Sequence, residues 1–239
     1  SHVADWGIAG IQIQWLHSSM YSDVERILLY FDDLFKFNDI HGFKSKMEWM
    51  DRDDVTKMTY QRINEKGDRI LSVLEKGHRN YSLNLFKKNE NGTFSLLREI
   101  KPRGYSIGWI AMSGDGETLF WIELIGGGGD KLFVLKNASN PDSKPVELAY
   151  YRNVSTVRLS GDGNWAYAFV WDSRVPNQPN DEWERGITFF SHYSNGEWSP
   201  MKPLEIDEEM KNWSVADTNY NSSLLECGRY VFERKGDVL

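Results

Sequence analysis

The chain has 239 residues, of which 40% are hydrophobic, 26% charged and 14% aromatic, and its net charge is −7. This is the balance of an ordinary globular chain, long enough for one domain or two small ones. It argues against a nucleic-acid partner, which needs a basic face, and the single cysteine, Cys227, excludes an intramolecular disulfide and any cysteine-based metal spacing.

No apolar run approaches the roughly 20 residues of a transmembrane helix. No signal peptide is visible, and the opening Ser1-His2 resembles the scar of a removed tag. Ten tryptophans tilt the expectation towards sheet, because aromatic rings suit a pleated, half-buried surface. Most are expected to pack there, with one or two left for ligand contact.

In chain order, Ile11 to Leu16 alternates like a strand. Val24 to Phe37 is apolar at mixed spacing and reads as a strand pair or a short helix. Asp51 to Glu65 is charged and reads as a helical turn.

Three segments then share one grammar. They are Asn64-Glu65-Lys66-Gly67-Asp68-Arg69-Ile70-Leu71, Ser113-Gly114-Asp115-Gly116-Glu117-Thr118-Leu119-Phe120 and Ser160-Gly161-Asp162-Gly163-Asn164-Trp165-Ala166-Tyr167. Each is a polar turn closing on Gly, followed by an apolar strand. Gly supplies the positive φ of a tight turn, and Asp can bond its own backbone. Gly67, Gly116 and Gly163 lie 49 and 47 residues apart. Weaker copies are Glu226 to Phe232, with Gly228 65 residues beyond Gly163, and Ser22 to Phe31.

Strands preceding the turns are expected at Ile107 to Met112 and Ser155 to Leu159. Third strands are expected at Ser82 to Lys87, Lys131 to Lys136 and Ile187 to His192. Fourth strands are expected at Phe94 to Ile100, Val146 to Tyr151 and Met201 to Ile206. Four strands in a unit of about 48 residues is the composition of a propeller blade.

At the Ser-Gly-Asp-Gly segments the chain resembles the TolB-type, WD-like β-propeller repeat, whose units carry Ser-Pro-Asp-Gly before an apolar strand. Gly114 and Gly161 stand where Pro is usual. The resemblance covers about residues 58 to 206. Two related patterns fit less well. The Asp-box of sialidase-like propellers would need Gly one position later than Gly116, and Trp171-Asp172 lacks the Gly-His partner of a true WD repeat.

The expected fold is therefore all-β, a β-propeller-like array of four-stranded blades in one domain over residues 1–239, with 1–57 fitting the pattern least. About five units are counted, the last incomplete. A small closed ring completed by the N-terminal strand, a piece of a larger propeller and an open, clamp-like array each account for that count.

Signals for chemistry are sparse. There is no Gly-x-Ser-x-Gly elbow, and the five His form no His-x-His or His-Glu-x-x-His pattern. Gly126-Gly127-Gly128-Gly129 is not followed by Lys-Ser/Thr or a helical pattern, so it reads as a hairpin loop and not as a phosphate cradle. Asp51, Asp53 and Asp54, like Asp32 and Asp33, lack the spacing of a calcium loop and read as solvated acidic faces. Cys227 reads as a buried small residue. Asn-x-Ser/Thr triplets occur at Asn80, Asn91, Asn137, Asn153, Asn212 and Asn221, and would be glycan acceptors in a eukaryotic secreted protein.

The most unusual local feature is the loop from Trp171 to Gly186. Long loops on a rigid frame carry contacts, and Trp and Arg are favoured interface anchors. Trp171, Asp172, Arg174, Trp183 and Arg185 are the candidate partner-binding residues; the bland alternative is a plain insertion with Trp183 packed on the blade. No catalytic residue, metal or cofactor is expected.

The resemblance implies a protein partner, since TolB-like propellers bind proteins, and a non-catalytic scaffold, in one version an inhibitor or immunity-type protein. A glycan hydrolase or peptidase-associated propeller and a sugar-binding lectin are the alternatives. The expected compartment is the periplasm or the secreted space.

Overall fold

The computed structural model describes residues 57–75, 80–176 and 186–204, together with strand segments at 215–218, 224–227 and 230–233. The expected strand at 11–16, the apolar stretch at 24–37, the turn-like copy at 22–31, Trp183 and Arg185 lie outside the described residues. The chain divides into two compact units, Ser1–Ile107 and Gly108–Leu239.

In the first unit, β1 (Lys57–Ile63), β2 (Arg69–Glu75), β3 (Tyr81–Lys88) and β4 (Phe94–Ile100) form one antiparallel sheet in that order. The helical turn expected within Asp51 to Glu65 is corrected here: from Lys57 to Ile63 that stretch is instead the strand β1, and residues 51–56 lie outside the described residues. Ile63 pairs with Ile70 across the turn, and a bulge between Met58 and Gln61 disturbs the alternation that would have marked a strand. Leu71, Val73, Leu83 and Leu85 are buried on one face of the sheet, with Ile70, Leu74 and Phe86 on the other.

The second unit repeats the pattern. Its first sheet is β5 (Ser106–Met112), β6 (Leu119–Ile125), β7 (Gly129–Leu135) and β8 (Val146–Tyr151), again in sequential order. The next sheet begins with β9 (Asn153–Leu159), β10 (Trp165–Asp172) and β11 (Ile187–Ser194). The fourth strand expected at 201–206 is instead two short pieces, β12 (Glu197–Trp198) and β13 (Lys202–Pro203), both paired with β11. Pro200 and Pro203 explain the break, since neither can donate to a ladder. A third sheet holds β14 (Val215–Thr218), β15 (Leu224–Cys227) and β16 (Tyr230–Glu233).

The first two sheets of this unit pack face to face. Phe120, Ile122, Leu132 and Val134 from one meet Val157, Ala166 and Ala168 from the other in a single core. Full burial of a side chain such as Phe120 contributes roughly 1.5–3 kcal/mol. The opposite faces of β6 and β10 are buried too, by Trp121, Trp165 and Tyr167. β10 therefore reads as an apolar run from Trp165 to Trp171, and β6 as one interrupted by the buried Glu123, which accepts from Trp121 Nε1 at 3.0 Å. The architecture is all-β, a β-propeller-like array of four-stranded antiparallel blades, with no helix among the described residues.

Candidate functional site

An antiparallel meander places alternate connections at opposite ends of each blade. In the second unit one end carries the turns β5–β6 and β9–β10. The other carries the loops β6–β7 and β10–β11, with the β8–β9 corner.

The tight turns are built from the Ser-Gly-Asp-Gly segments. Ser113 Oγ donates to Asp115 Oδ1 at 2.6 Å and accepts from the Thr118 backbone N–H at 2.9 Å. Ser160 Oγ does the same with Asp162 Oδ1 at 2.6 Å and Trp165 N–H at 3.0 Å. In the first unit Asn64 replaces Ser, and its Oδ1 accepts from Arg69 N–H at 2.9 Å. The glycines Gly67, Gly116 and Gly163 all have positive φ, at 67°, 76° and 68°. The three segments thus form one loop, in which the first side chain caps the sixth backbone N–H. Gly228 lies outside the described residues, in the connection between β15 and β16.

Successive turns also dock on each other. Gly114 N–H donates to the Gly161 carbonyl at 2.7 Å. A Cβ on Gly163 would lie 2.3 Å from Thr118 Oγ1. Lys136 closes the contact, donating to Asn164 Oδ1 at 2.7 Å with its ammonium 4.8 Å from the centre of the Tyr193 ring. Burial pushes the Lys136 pKa down, against the attraction of Asp162 and Asp115.

The loop end is different. Gly126 to Gly128 are exposed and turn the chain from β6 to β7, with Gly127 and Gly128 at positive φ; this is the hairpin expected of the glycine run. Trp171, near the end of β10, is 42% exposed, with its ring edge-on to Phe169 at 5.3 Å. Asp172 follows and is gripped by Arg174, whose Nε lies 2.9 Å from Oδ1 and whose Nη2 lies 2.5 Å from Oδ2. The hydrogen bonds from Arg174 hold the Asp172 carboxyl below its ordinary pKa, and Arg152 adds to the shift.

The outgoing loop is seated on the neighbouring blade. Pro176 Cγ and the Tyr150 ring approach Gly129 so closely that a Cβ there would lie 2.4 Å from each. Asp130 joins the same two blades by accepting from Val154 N–H at 2.8 Å, and burial pushes its pKa up.

Three of the five candidate residues, Trp171, Asp172 and Arg174, are thus adjacent and ordered by their own contacts. Arg152 was not singled out from the sequence. It enters because Asp172 pairs with Asn153, which brings the β8–β9 corner beside Trp171. The four described Asn-x-Ser/Thr asparagines, Asn80, Asn91, Asn137 and Asn153, are exposed. Among the described residues no group of three His, Cys, Asp or Glu is placed to hold a metal ion, and no helix is long and apolar enough to cross a membrane.

No protein-family model matches the chain, and no curated protein matches it in sequence. Similarity appears among solved structures. Hydrazine synthase of Kuenenia stuttgartiensis matches with 14% identity and a TM-score of 0.48, over 72% of this chain and 49% of that one. TolB from Acinetobacter baumannii matches with 10% identity and a TM-score of 0.45, over 73% and 39%. The complex of KlAtg21 with the coiled coil of AgAtg16 matches with 13% identity and a TM-score of 0.49, over 74% and 52%. The chain therefore spans about half or less of the length of these structures.

Proposed function

We propose that this chain is a non-catalytic scaffold of TolB-type repeats that binds a protein partner through the loop end of its second unit. The observation that carries the reading is Trp171. A large apolar ring stands 42% exposed on a strand that is buried from Trp165 to Val170, beside Asp172 and Arg174, which bind each other. Exposed Trp and Arg on a pre-organised surface are the usual anchors of a protein interface. Asp172 and Arg174 are the described members of that surface; Trp183 and Arg185, outside the described residues, are proposed with them from their place in the sequence alone. An inhibitor or immunity-type role, in the periplasm or outside the cell, goes with this reading.

The test is site-specific photo-cross-linking. A photoreactive phenylalanine analogue replaces Trp171 in one sample and Val146, 47% exposed on β8, in another. A partner specific to position 171 is expected. Once purified, it should co-elute with the wild-type chain in size exclusion and not with Trp171→Ala. Equal cross-linking at both positions, or co-elution with the variant, rejects the reading.

A further inference from the structure

Arg152 differs from the other described cations at the loop end, Lys131 and Arg174. Lys131 is 2.9 Å from Glu147, and Arg174 is 2.5 Å from Asp172, so each of those charges is met within the chain. Arg152 is exposed and makes no hydrogen bond or ion pair among the described residues. Its backbone is nonetheless fixed on both sides. Tyr151 before it is buried, with its ring centre 5.0 Å from that of Phe189. Two residues on, Val154 N–H is tied to Asp130.

The register sets Arg152 diagonally across a strand pair from the aromatic anchor. Asp172 pairs with Asn153 and Val170 with Val154, so Trp171 and Arg152 flank the same pair on neighbouring strands. This end therefore offers an exposed indole and an exposed guanidinium, the latter feeling the charge of Asp172 but held by no hydrogen bond or ion pair among the described residues. A guanidinium takes a carboxylate through two parallel hydrogen bonds, and an indole takes an apolar side chain. The chain as a whole carries −7, so a positive site of this kind selects a complementary segment against the general repulsion of acidic partners.

Resting on the function proposed above, we infer that the partner presents an acidic segment here, with one carboxylate on Arg152 and a neighbouring apolar side chain on Trp171. The probe is a fluorescein-labelled peptide with a leucine flanked by Glu and Asp, alongside a twin in which every acid is replaced by Lys. Binding is read by fluorescence anisotropy, and unchanged melting temperatures of the variants establish that they are folded. The acidic peptide is expected to bind and its basic twin not to. Arg152→Glu and Trp171→Ala should each weaken binding at least about tenfold, and Arg152→Lys should fall between Arg152→Glu and wild type.

No binding of the acidic peptide, equal binding of the basic twin, or wild-type affinity in Arg152→Glu overturns the inference. The two proposals separate cleanly. A partner cross-linked at position 171 that binds Arg152→Glu as tightly as wild type removes the acidic segment and leaves the protein-binding scaffold standing. Absence of any partner specific to position 171 removes the scaffold reading itself.

Discussion

The two ends of the second unit solve the same problem, reversing a strand, in opposite ways. At the tight-turn end the serine hydroxyls and turn carboxylates are answered within the turns. Ser113 and Ser160 are fully buried, their hydroxyls bridge an Asp to a backbone N–H, and the two turns bond to each other. At the loop end the chain leaves an indole and a guanidinium facing solvent, while Pro176 and Tyr150 pack closely on Gly129. Side chains committed to the fold cannot also be offered to a partner, so the division of labour follows from hydrogen-bond accounting.

Substitutions that treat the two ends alike should expose this difference. The largest effect is expected from Gly163→Ala. It combines a positive φ with a Cβ pressed against Thr118, and should cost about 3 kcal/mol or more in a denaturant titration. Ser160→Ala strands the buried Trp165 N–H and should cost about 1–3 kcal/mol in the same assay. Gly128→Ala has the same sign of φ but open space around it, so about 1 kcal/mol is expected. A cost for Gly128→Ala equal to that of Gly163→Ala would break the comparison.

Trp171→Ala should change stability by about 1 kcal/mol or less while abolishing partner binding, since the ring is half out of the fold. The smallest effect is expected at Asp130, and it has the opposite sign. Burial raises the folded-state pKa above the unfolded one, so ionisation of this carboxyl works against folding. That cost is absent below the unfolded pKa and develops as pH rises through the folded one. Asn keeps an acceptor for Val154 N–H without the charge. Asp130→Asn should therefore raise stability at pH 7 by less than about 1 kcal/mol, and leave it unchanged at pH 3, in paired thermal melts.

Much of the tight-turn end was legible in the residues alone. Ser, Asp and Gly at fixed offsets announce the loop, and β4 and β8 match the expected strands residue for residue. Legibility failed where a pattern was interrupted or where meaning came from a neighbouring strand. A bulge hid β1, and two prolines cut the outer strand beside β11 into β12 and β13. At the loop end Trp171, Asp172 and Arg174 were visible because they are adjacent in sequence. Arg152 was not, because only the pairing of Asp172 with Asn153 gives it a role.

The six-residue loop has a consequence for the history of the molecule. Its side-chain cap is supplied from within the loop itself, by Asn64, Ser113 or Ser160. A duplicated gene segment encoding one such blade would bring its own capped connection with it. The array could lengthen or shorten by whole blades, and Asn64 standing where the other two loops carry Ser means the cap needs an oxygen acceptor there and not one residue type.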